Sequence, residues 1–60
     1  MTRKDYNLIA LSVLNELSCY DDLTSEATAI RELARRLSYN LSMDNPRFDT
    51  ARFLTACGVK

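Results

Sequence analysis

A chain of 60 residues with 47% hydrophobic side chains holds at most one small domain, and a single Gly and a single Pro exclude a linker or a disordered tail. Eight basic and eight acidic side chains cancel, which counts against a nucleic-acid binder, because neutralised phosphates supply much of such a protein's affinity. There is no His, and Cys19 and Cys57 have no Cys neighbours at ligand spacing, so no metal and no cofactor is expected.

Residues 3–18 carry the first helical pattern. Thr2 suits the N-cap, and Asp5 three residues on completes a capping-box-like arrangement in place of the usual Glu or Gln. Asp5 also complements the helix dipole. Tyr6, Ile9, Ala10, Val13, Leu14, Leu17 and Tyr20 fall on one broad face, without the strict alternation of a strand. Leu8 and Leu11, with Cys19 if the helix reaches it, fall on the opposite side. A domain this small has few internal places to hide them, so they form a candidate contact surface for a second copy or a partner.

Cys19 to Leu23 reads as a short connection, with Asp21 and Asp22 as turn and cap residues rather than a metal or acid–base pair. A link of this length makes the first two helices antiparallel neighbours. Thr24, or Ser25, caps a central helix over residues 24–43. Ala27, Ile30, Leu33, Ala34, Leu37 and Leu41 recur along it at steps of three and four, which makes one narrow apolar stripe. Glu32, Arg35, Arg36 and Tyr39 take the other side, and Glu32 is spaced to pair with either arginine. Arg35, Arg36, Tyr39 and Met43 are a second candidate patch, since an aromatic ring, guanidinium groups and a thioether are the side chains that interfaces favour.

Asn45 before Pro46 is pushed out of helical geometry and ends the central helix. Phe48, Asp49 and Phe53 then occupy N′, N-cap and N4 of a third helix over residues 50–57, a hydrophobic staple around an Asp cap. Gly58 fits C′ and Val59 fits C″ of a Schellman ending. Two turns are not stable alone in water, so Phe48, Phe53, Leu54 and Cys57 must dock on the hairpin. The fold expected is all-α: an antiparallel helical hairpin plus a short C-terminal helix, in one domain spanning residues 1–60.

No Gly-rich phosphate loop and no nucleophile with a base is present, and without His the commonest general base is missing. Tyr6 and Tyr20 lie on the apolar face, where a buried ring with a wet hydroxyl is the expected arrangement. The opening has no apolar signal region and no run is long enough to span a membrane, which points to a cytoplasmic protein with reduced thiols.

The opening Met1-Thr2-Arg3-Lys4-Asp5-Tyr6 resembles that of short accessory proteins encoded by tailed bacteriophages and prophages. The closing Asp44-Asn45-Pro46-Arg47-Phe48-Asp49, continued by Arg52-Phe53-Leu54 and Ala56-Cys57-Gly58, resembles them too; the likeness covers about a third of the chain. It implies a phage accessory protein in a bacterial cytoplasm. The group carries no activity to transfer, so no functional residue follows from it. The expected function is protein–protein interaction without catalysis, with a homodimer or a host or phage protein as partner. No membrane and no small-molecule substrate is expected. The alternative is a small helix-turn-helix-like DNA-binding module. Zero net charge and a long connection from Ser42 to Asp49 count against it.

Overall fold

The protein is described by a computed structural model covering residues 1–59. Three helices, α1 (Arg3–Leu17), α2 (Ser25–Asp44) and α3 (Thr50–Ala56), all pack against one another. Each boundary has a local cause. The Thr2 hydroxyl accepts from Asp5 N–H at 3.4 Å, and the Asp5 carboxylate accepts from Thr2 N–H at 2.9 Å, so the capping box closes with Asp in the Glu role. That backbone hydrogen bond holds the Asp5 carboxyl below its ordinary pKa. The cap is therefore complete above the unfolded Asp range and weakens as pH falls through the folded pKa.

α1 stops at Leu17, one residue short of the sequence expectation. Ser18 is its C-cap, and Cys19 N–H and Tyr20 N–H turn back on Glu16 C=O and Leu17 C=O at 3.1 and 3.2 Å. These shorter-span bonds tighten the last turn and place Cys19 beyond the helix. Thr24 then serves two elements. Its hydroxyl donates to Asp21 C=O at 2.7 Å and accepts from Ala27 N–H at 3.1 Å. Arg31 reaches back to donate to Asp22 C=O at 2.8 Å, which anchors the connection to α2.

The buried line of α2 is Ala27, Ala34 and Ser38, with Ile30, Leu37 and Leu41 half-buried beside it. Leu33, expected in the stripe, is 54% exposed. It lies next to Ala34 in sequence, about 100° round the helix from it. Ser38, four residues after Ala34, takes the inward position instead. Leu14, expected on the main face of α1, sits at its margin, and Tyr20, expected there too, lies beyond the helix end; both remain over a third exposed.

α3 ends one residue earlier than expected, with Cys57 as C-cap, and otherwise forms as read. Asn45 is extended at φ −134° and ψ 106°. Asp49 Oδ1 accepts from Arg52 N–H at 3.0 Å, and the Phe48 and Phe53 rings stand 5.3 Å apart. Gly58 has φ +82°, Val59 N–H donates to Leu54 C=O at 2.9 Å and Gly58 N–H to Thr55 C=O at 3.0 Å. Both bonds of the Schellman motif are present. A Cβ on Gly58 would stand 2.7 Å from Leu14 Cδ1, a side-chain tip that can shift, so it is the positive φ that calls for glycine there.

The core is thin. Its buried apolar residues are Ala10, Leu17, Ala27, Ala34, Phe53, Cys57 and Val59, and three of the four from the hairpin are alanines. The exposed surface is 4616 Å², whereas about 4,000 Å² is usual for a compact 6.8 kDa chain. The 20-residue α2 accounts for the long axis of 33 Å and for part of this surplus. Phe53→Ala is expected to cost about 3–5 kcal/mol in chemical denaturation, enough to unfold a domain of this size. Asp49→Ala should cost ~1 kcal/mol, the worth of a cap; equal small losses would show that α3 does not hold the core.

Candidate functional site

Three surfaces stand out. The first is the outer side of α1. Leu8 is 62% exposed and Leu11 50% exposed. They are three residues apart and so share a side, away from the buried Ala10 and Leu17. Leu14 extends the same row inward at 38% exposure. Cys19 is exposed as well, but lies past the helix end with its thiol donating to Asn15 C=O at 3.4 Å. It is a neighbour of the leucine row rather than a member of it.

The second is the solvent side of α2. Glu32, Arg35, Arg36 and Tyr39 line a shallow open depression. All four come from one helix, so it is a helix face rather than a pocket. Met43, grouped with them by sequence, is strongly exposed but lies outside this depression. Among the described residues, internal hydrogen bonds engage the side chain of a single arginine, Arg31. The pairing of Glu32 with Arg35 or Arg36 is therefore not made as a hydrogen bond.

The third was not singled out from the sequence. The start of α1, the connection after α2 and the first turns of α3 line an open cleft of about 270 Å³. Tyr6 meets Phe48 edge to face with ring centroids 4.8 Å apart. The Asn45 side-chain amide donates to the Tyr6 hydroxyl at 3.5 Å. Arg3, Arg47 and Arg52 stand around the opening. Phe48 was legible as part of a helix start, but only folding brings it, with Arg47 and Arg52, to Arg3 and Tyr6.

No group of three His, Cys, Asp or Glu side chains suited to a metal ion occurs among the described residues. No helix there is long and apolar enough to cross a membrane. Cys57 is fully buried, and burial pushes its thiol pKa up. The two thiols should therefore differ in reactivity. In native protein near pH 8, iodoacetamide is expected to label Cys19 readily and Cys57 only after denaturant is added. Equal rates by mass spectrometry would show that the α3 end opens freely. The protein matches no family model, no curated protein and no solved structure.

Proposed function

We propose that this chain is a non-catalytic interaction module, a small accessory protein of tailed-phage type that works in the bacterial cytoplasm by covering an apolar face with another protein. The observation that carries the reading is the surplus of exposed surface, about 600 Å² above the usual value, together with two adjacent, half-exposed or more leucines on α1.

The occupant proposed for the free protein is a second copy. A two-fold axis uses the same patch on both chains, so Leu8 and Leu11 are each buried twice. Each leucine moved from water to a packed interface is worth ~1.5–3 kcal/mol. A chain whose helical hairpin adds mostly alanine to its buried core gains most from such burial. A host protein docking on the same face is the competing occupant.

Sedimentation equilibrium tests the assignment. Wild-type protein is expected to sediment as a dimer, and the Leu8→Glu, Leu11→Glu double variant as a monomer with unchanged helical circular dichroism. A wild-type monomer rules out self-association and leaves the face to a different protein. A double variant that unfolds would make the two leucines part of the core.

Duplex DNA is expected to bind only weakly and with strong salt dependence, because the chain's charges balance. Fluorescence anisotropy at physiological salt checks this. Sub-micromolar, sequence-selective binding would favour the DNA-binding module instead.

A further inference from the structure

We propose that the cleft between α1 and α3 is a binding site for a small organic anion: one carboxylate or phosphate group carried on a flat apolar body. The site is separate from the leucine row on α1 and does not depend on it.

The floor of the cleft is aromatic. Phe53 and Ala10 are buried and close it from below. Tyr6 and Phe48 line it while only half-buried, so ring surface remains open to the cleft. The three rings are held by one another, Tyr6 on Phe48 at 4.8 Å and Phe48 on Phe53 at 5.3 Å. A rigid aromatic surface suits a second flat apolar group, which stacks or packs edge-on against it.

The rim is cationic. Arg3, Arg47 and Arg52 are three of the chain's eight basic residues, and Asp49 is the one acid of the lining. One oxygen of Asp49 already accepts the Arg52 backbone N–H. Among the described residues no internal hydrogen bond uses the guanidinium groups of these three arginines; the arginine side chain so engaged is Arg31. A neutral chain thus concentrates positive charge at one opening. Guanidinium groups bind carboxylate and phosphate through paired, charge-assisted hydrogen bonds. The Tyr6 hydroxyl accepts from Asn45 and keeps its own proton to donate.

Size narrows the ligand. A cavity of about 270 Å³ lies just below the range that holds drug-sized molecules. It accommodates one ring with its anionic group, not an extended dinucleotide. Neither half of the site suffices alone: the rings give no reason to prefer an anion, and three exposed arginines without a floor give no reason to prefer an apolar body.

Four probes separate these contributions: phenyl phosphate, phenylacetate, benzyl alcohol and inorganic phosphate, each titrated into isotope-labelled full-length protein by NMR. Phenyl phosphate, phenylacetate or both should shift the signals of Tyr6, Phe48 and Arg52, with affinity at least about tenfold above that of benzyl alcohol and of inorganic phosphate. Whichever aromatic anion binds more tightly identifies the head group. The Arg47→Gln, Arg52→Gln variant should lose about tenfold or more for that ligand. Both side chains lie outside the core, so its melting temperature should match the wild type. Benzyl alcohol binding as well as the anions would overturn the cationic rim, and inorganic phosphate binding as well as them would overturn the aromatic floor. Shifts that map elsewhere, or none up to about 10 mM, a concentration that detects even millimolar affinity, would remove the site.

Discussion

The docking of the seven-residue α3 onto the α1–α2 hairpin is the contact on which the rest of this structure depends. The hairpin contributes Ala10, Leu17, Ala27 and Ala34 to the buried core, and Phe53, Cys57 and Val59 supply the remainder from the last seven described positions. Alanines let two helices approach closely but bury little area. The bulk that excludes water comes from the C-terminal segment. That segment would not hold its shape by itself. Its Asp49 cap, Phe48–Phe53 staple and Gly58 turn prepare the geometry, and the hairpin supplies the surface that makes it persist. Neither part is complete without the other.

The same economy explains the outside of the molecule. A core closed by one phenylalanine and several small side chains leaves aliphatic groups over: Leu8, Leu11 and Leu33 at half exposure or more, and Leu23 almost wholly exposed in the connection. Single exposed leucines are ordinary. The pair on α1 differs because the two lie one helical turn apart, with Leu14 continuing the row. Leu33 has Ile30 and Leu37 one turn to either side, but both are half-buried against the core, and Leu23 lies outside the helices. Extra exposed area in a small domain weakens it unless something else covers that area. This is why the proposed interaction module and the thin core are two aspects of one fact.

The cleft has a related origin. α3 is short, so it covers the hairpin without filling the corner where the chain enters α1. Tyr6 and Phe48 close that corner from below but leave it open above. The start of α1 meets the start of α3 there, which brings Arg3 to Arg47 and Arg52. The opening and closing stretches read separately as a capping box and a staple. Folded, they share one wall.

How much of this was legible follows from the range of the forces involved. Caps, staple and Schellman ending depend on residues within about six positions of one another, and the sequence by itself determined them: Thr2 with Asp5, Thr24 with Ala27, Asp49 with Arg52, and Gly58 with the end of α3. The three-helix architecture followed, because short connections between amphipathic segments leave few ways to pair them. Periodicity located the apolar faces to within one position. It could not say that Ser38 rather than Leu33 turns inward, because a serine carries no apolar signal for periodicity to read. Nor could it show the cleft, since Arg3 and Tyr6 lie some forty residues or more from Arg47, Phe48 and Arg52. Local chemistry decides where a helix starts and stops. What gathers at its surface is decided by contacts between segments that the linear order keeps apart, and these exist only once the tertiary structure has formed.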